Sequence, residues 1–225
     1  MHNSEHIPSI TDGIFFTVPP KLPRGPHGLD REAVLDINRE RLMIAFTELV
    51  AAHGYAATGV KEVVARSKVS RSSFYECFED KEQCADAAYE RFITVLTQKM
   101  IAHLAYGDIE ADVTRILIAY LTTLQSDLVV ARAFQVEMDA AGKIARDRRR
   151  AALHGLAAVL HAEHRRQCDT DATLDPDLPS EVFVASVYAA RQLASDLLDT
   201  EVAPDLVAVV PRISGWLSAG LRRTT

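Results

Sequence analysis

Apolar and polar positions repeat with a helical period through most of this chain, and no segment shows the every-second-residue alternation of a strand. Leu42, Ala45, Phe46 and Leu49 fall at i, i+3, i+4 and i+7, which predicts a first helix from about Leu29 to Ala52 with one buried stripe. Asp30 is placed to cap it, and Gly54 to end it in a left-handed turn. A short second helix carries Val60, Val63 and Val64 inward, with the Thr58 hydroxyl as its expected cap. Ser67-Lys68-Val69 predicts a tight turn, and Ser70 caps a third short helix whose apolar side is Phe74 and Phe78. A capping box, Asp80 with Gln83, opens a fourth helix reaching about Leu104. Beyond the break at Gly107-Asp108, helices are predicted at about 109–127, 128–140, 142–166, 180–200 and 204–222. An acidic loop with two prolines runs from Cys168 to Pro179. The expected fold class is all-α, a three-helix head followed by a helical body.

Residues 1–29 depart from this pattern. Pro19, Pro20, Pro23 and Pro26 hold the backbone extended and remove donors, so no helix can start there. The stretch is expected to be a flexible, proline-rich extension, either free or laying Lys21 and Arg24 in a minor groove. The expected organisation is then this extension, a three-helix head at 30–80, and a helical body at 81–225.

Composition narrows the choice further. With 225 residues, 48% apolar, the chain can bury a sizeable core. Its net charge of −6 argues against general coating of nucleic acid. Between Thr58 and Tyr75, however, Lys61, Arg66, Lys68 and Arg71 face Glu62 alone, a small basic face on an acidic body. The three cysteines, Cys77, Cys84 and Cys168, lack C-x-x-C spacing and suggest neither a disulfide framework nor a zinc site. No cofactor or metal is expected. No apolar run approaches the ~20 residues of a membrane span. A cytoplasmic location is expected.

Three short helices with a tight turn before the third form the layout of a helix-turn-helix. A helix that enters a groove ~12 Å wide needs small polar residues at its exposed start, which Ser70, Arg71, Ser72 and Ser73 supply. Its rear must be apolar, which Val69, Phe74 and Phe78 supply. Tyr75 and Lys81 stand where a hydroxyl and an ammonium can grip flanking phosphates.

At these residues the chain resembles the tetracycline-repressor (TetR) family. The resemblance runs over about residues 39–85, through Leu42-Met-x-Ala45-Phe-x-Glu-Leu49-Val, Gly54-Tyr55-x-x-Thr58-x-Val60-x-x-Val63-Val and Ser67-Lys-Val-Ser-Arg-Ser-Ser-Phe-Tyr75-x-x-Phe78-x-Asp80-Lys81-Glu82. It implies that Thr58 and Lys61 bind phosphate, that Arg71, Ser72 and Ser73 face bases, and that Tyr75 and Lys81 hold the backbone. Arg71 is the residue expected to read guanine through its O6 and N7 acceptors. Two positions depart from the pattern. Lys68 sits where the turn usually has glycine, which implies strain of ~1 kcal/mol, with a phosphate contact as compensation. Cys77 stands where the family commonly has histidine or tyrosine.

The resemblance further implies a homodimer on a pseudo-palindromic operator and an unknown small-molecule effector among the rear helices. The ligand candidates there are Tyr120, Phe134, Glu137, Met138 and His154. The dimer candidates are Val182, Phe183, Val187, Leu193 and Leu197 in one helix, and Leu206, Val210, Ile213, Trp216 and Leu217 in the last. The expected function is a repressor released by its ligand, with a ligand-dependent activator of the same fold as the alternative. A helical-bundle enzyme would need a set such as Glu-x-x-His on facing helices. His161 and Glu163-His164 do not give that spacing.

Overall fold

The computed structural model describes residues 7–20, 30–103 and 109–223. Nine α-helices lie among these residues, with no β-strand: α1 (Arg31–His53), α2 (Val60–Ser67), α3 (Arg71–Cys77), α4 (Lys81–Ile101), α5 (Ile109–Gln125), α6 (Leu128–Gln135), α7 (Lys143–Cys168), α8 (Ser180–Thr200) and α9 (Val210–Ala219). The predicted helix at 128–140 is two pieces, because α6 tightens after Gln135 into a 3-10 turn over Glu137–Ala141. The predicted helix from 204 begins later, at Val210, where Pro211 occupies the first turn that tolerates its missing N–H. No single helix among the described residues is long and apolar enough to cross a membrane.

The chain forms two compact units. The first comprises residues 1–92 and 127–145, the second 93–126 and 146–225, so the division does not fall at the expected 80/81 boundary. In the first unit α1 packs against α2, α3 and α6. Leu42, Phe46 and Val50 of α1 are fully buried, as are Phe74 of α3 and Phe134 of α6. Phe134 lies against Phe92 and Tyr89 of α4, with ring centroids 5.1 and 5.7 Å away.

The expected flexibility of the extension does not hold over residues 7–20. Phe15 and Phe16 are buried, and Phe15 packs against Phe92 at 5.3 Å. A tight turn at Gly13 (φ 81°), closed by its N–H donating to the Phe16 carbonyl at 2.8 Å, aims both rings inward. Two aromatic rings bring more burial energy, ~2–3 kcal/mol each, than a polar tail could supply. Lys21 and Arg24 lie outside the described residues.

In the second unit α5 packs against α9. A polar network joins α5 to α7: the Gln167 amide donates to Asp112 at 2.9 Å and to Glu163 at 2.8 Å, Arg166 holds Glu163 in a bidentate pair, and Arg115 holds Asp112. His164, fully buried, donates from Nε2 to the Asp175 carbonyl at 2.8 Å and lies against Phe183, pinning the acidic loop to the helix.

Candidate nucleic-acid interface

The path from α2 to α3 is set by one unusual residue. Lys68 ends α2 in the left-handed region, at φ 60° and ψ 25°, and its N–H closes the helix on the Val64 carbonyl at 3.1 Å. It is the one non-glycine with positive φ among the described residues. The strain expected from a side chain at this glycine-favouring position is therefore present in the backbone. Ser70 then starts α3: its hydroxyl oxygen accepts the Ser73 N–H at 3.1 Å and lies 2.9 and 2.8 Å from the Ser72 and Ser73 hydroxyls. Val69, Phe74, Cys77 and Phe78 turn inward and are buried. Phe74 meets Phe78 at 6.0 Å, and the Arg39 guanidinium of α1 covers Phe78 from outside at 5.7 Å.

Anchored from behind, α3 presents its other face to solvent. Ser70, Arg71 and Ser72 are exposed, Ser73 is half-buried, and Tyr75 is 50% exposed. The Arg71 guanidinium lies 5.8 Å from the Tyr75 ring, one turn away, which holds the arginine over the helix face. Lys61 and Lys68 are exposed on the same helix pair.

Two expectations change at the edges of this face. Thr58 is only 1% exposed, and its hydroxyl donates to the Gly54 carbonyl at 2.9 Å, so it caps the end of α1 and cannot reach a phosphate. Gly59 takes the N-cap position of α2 without a side-chain bond, which also corrects Thr58 as that cap. Lys81 is half-buried: its ammonium lies 4.1 Å from the Tyr55 ring centroid and donates to the Tyr55 carbonyl at 3.2 Å. The Tyr55 hydroxyl donates to Glu82 at 3.3 Å. Burial, then the Glu82 carboxylate, push the Tyr55 phenol up to about 12. Tyr55 and Arg39 escaped notice as site residues because an aromatic or a lone cation on a helix carries no signal of its own. The capping box at α4 is present in shifted form, with Asp80 accepting the Gln83 N–H while Gln83 accepts the Glu79 N–H. Burial raises the thiols of Cys77 and Cys84.

The remaining candidates fall into both units. Phe134 and Met138 are buried in the first, where Glu137 is half-buried with its carboxylate 3.0 Å from where a Gly54 Cβ would stand. Tyr120 is buried in the second, where His154 is exposed and meets Tyr188 edge-on at 6.2 Å. Of the dimer candidates, Phe183, Val187, Leu206, Val210 and Leu217 are consumed by the second unit's own core and cannot meet a partner. The physical reason is that α8 carries two adjacent stripes. One, Phe183-Val187-Ala194-Leu198, points inward. The other, Val182, Ser186, Ala189, Leu193 and Leu197, stays partly or fully exposed. On α9, Trp216 is 68% exposed and Ile213 half-buried.

A short helix fronted by serine and arginine, locked from behind by an apolar wedge and set by a tight turn after α2, has the layout of a helix-turn-helix. Residues 45–88 match the family described as bacterial regulatory proteins, tetR family, which spans this helix-turn-helix and the start of α4. By that match the helix-turn-helix and the start of α4 are similar to those of tetR-family regulatory proteins. No curated protein matches the sequence.

Solved structures share the fold. The fatty acid degradation regulator FadR from Bacillus halodurans is 17% identical with a TM-score of 0.73, covering 83% of this chain and 97% of its own. FadR from Bacillus subtilis, solved in complex with stearoyl-CoA, is 15% identical with a TM-score of 0.71, covering 81% and 98%. A transcriptional regulator from a Rhodococcus species is 21% identical with a TM-score of 0.63, covering 83% and 99%. At these identities the likeness is one of fold.

Proposed function

We propose that this chain is a cytoplasmic, homodimeric repressor that leaves its operator when a small molecule binds the rear helices. The observation that carries the reading is the exposed Ser70-Arg71-Ser72 face of α3, backed by buried Val69, Phe74 and Phe78. In this reading residues 30–80 hold DNA and residues 81–225 hold the effector and the partner. Arg71 reads a base edge with Ser72 and Ser73 beside it, and Ser70 sets the start of the helix. Lys61, Lys68 and Tyr75 take phosphates. Lys81 has used one of its three N–H donors on Tyr55 and turns the others to the backbone.

A seven-residue helix makes few contacts, so a two-fold pair reading two half-sites of a pseudo-palindrome is needed for useful affinity. Val182, Leu193, Leu197, Ile213 and Trp216, with Tyr188 added, are the apolar side chains available to the partner. Tyr120, Phe134, Glu137, Met138 and His154 are the positions at which substitutions should alter effector response. Stearoyl-CoA is the first probe to try, because the Bacillus subtilis FadR of the same fold was solved with it.

Selection from a random-sequence duplex pool at low ionic strength tests the reading. Enrichment of a palindromic site, a dimer in sedimentation, and release by an acyl-CoA would support it. A well-folded chain that enriches no sequence would end it.

A further inference from the structure

The segment before α1 is built into the first unit by hydrogen bonds that divide between its helices. The Ile10 N–H donates to Glu48 of α1 at 3.2 Å, and the next N–H, of Thr11, donates to Asp127 at 2.7 Å. Each carboxylate has its second oxygen on another element. That of Glu48 accepts from Arg66 Nε of α2 at 2.7 Å, and Arg66 also donates to Ser9 at 3.2 Å. That of Asp127 caps α6, accepting the Val129 and Val130 N–H groups at 3.1 and 3.0 Å. Glu48 and Asp127 are both buried. At the other end of the turn the Thr17 N–H donates to Glu40 of α1 at 3.0 Å, and Glu40 pairs with Arg91 of α4. Between these two clasps Phe15 lies on Phe92, which in turn meets Phe134 of α6.

Two neighbouring backbone amides thus join α6 to α1 and, through one shared carboxylate, to α2. A buried carboxylate that loses an N–H donor keeps its desolvation cost, so neither bond can be given up cheaply. Polar chains of this kind have few alternative arrangements, which makes them suited to transmit a displacement rather than absorb it.

We propose that residues 9–17 form a clasp that positions the helix-turn-helix, so that the seat of α6 sets the placement of α2 and hence of α3. Glu48 and Arg66 are its positioning residues; they touch no base or phosphate in this scheme. The consequence for function rests on the DNA-binding reading, whereas the clasp itself does not.

The test uses the full chain and amide hydrogen exchange. Phe15→Ala/Phe16→Ala detaches the clasp. Leu198→Ala, which opens the core of the second unit, is the control. Detachment should raise exchange about tenfold in peptides covering 60–67 and 128–135 and leave 183–198 unchanged, and Leu198→Ala should do the reverse. Affinity for the duplex selected by the parent chain should fall about tenfold with an unchanged salt slope, because no phosphate contact is lost. Thr11→Pro, which deletes one amide donor and leaves both rings, should give a smaller rise in the same two helices, and it decides the matter where the double variant does not fold. Exchange in 60–67 that stays at the parent rate, or that rises by one common factor across the chain, overturns the proposal. Should the parent select no duplex, the exchange result still judges the clasp while the DNA reading fails alone.

Discussion

Lys68 offers a substitution that should move stability and DNA affinity in opposite directions. A residue with a Cβ in the left-handed region costs ~1–2 kcal/mol relative to its ordinary conformations, and glycine escapes that cost. Glycine also widens the unfolded ensemble, which takes back ~0.4–1 kcal/mol. With Lys68 held at φ 60° and ψ 25°, Lys68→Gly should therefore stabilise the chain by ~0.5–1 kcal/mol. For a protein of this size that raises the melting temperature by ~1–4 °C. The same change removes an exposed cation from the helix pair proposed to face DNA, so the slope of log affinity against log salt should lessen by ~0.9 per protomer, or ~1.8 for the proposed dimer. Thermal scans by circular dichroism and anisotropy titrations at several salt concentrations measure the two quantities on one preparation. A variant that melts at or below the parent temperature would show that the turn holds no strain at this position. An unchanged salt slope would remove Lys68 from the phosphate contacts. Lys68→Asn, which tolerates the left-handed region, should fall between parent and glycine in the thermal scan.

Ser70→Ala deletes the N-cap of a seven-residue helix and should cost ~1 kcal/mol, read as a lower urea midpoint with unchanged slope. Tyr55 holds its proton more tightly when folded, so its contribution is full below pH 10 and is lost as pH rises toward about 12. Absorbance titration should show a late phenol that is lost in Tyr55→Phe and shifts earlier in Glu82→Gln; a phenol unmoved by Glu82→Gln would remove Glu82 from the causes and leave burial as the main one. Trp216→Glu leaves the fold intact, because the indole is 68% exposed, and should shift sedimentation from dimer to monomer; an unshifted dimer places the interface elsewhere.

How far the sequence was readable depends on whether a residue had one partner or several within reach. Ser70 and Asp30 had only the first-turn N–H groups of their own helices, and both caps formed as read. Lys68 was legible because the turn geometry leaves a single backbone solution. Thr58 was not, since its hydroxyl lies between the end of α1 and the start of α2, and the choice of the Gly54 carbonyl is made by packing. The stripes of α8 were misassigned in part for a related reason. Periodicity marks which residues are apolar but not which of two neighbouring stripes meets the chain's own core. The extension was misread because proline density outweighed Ile14-Phe15-Phe16, the one apolar run in it. Its true partners, Glu48 and Asp127, are 38 and 116 residues distant from the amides they bind.

The chain passes between its two compact units three times, and the first unit is finished only when residues 127–145 return to it. The helix-turn-helix is therefore not part of a detachable cassette. A fragment ending at Phe92 would lack Phe134 and the Asp127 carboxylate, leaving Tyr89, Phe92 and the Thr11 amide facing water. Evolution by domain exchange, and engineering of hybrid regulators, would have to carry α6 along with the DNA-binding helices or redesign what it covers.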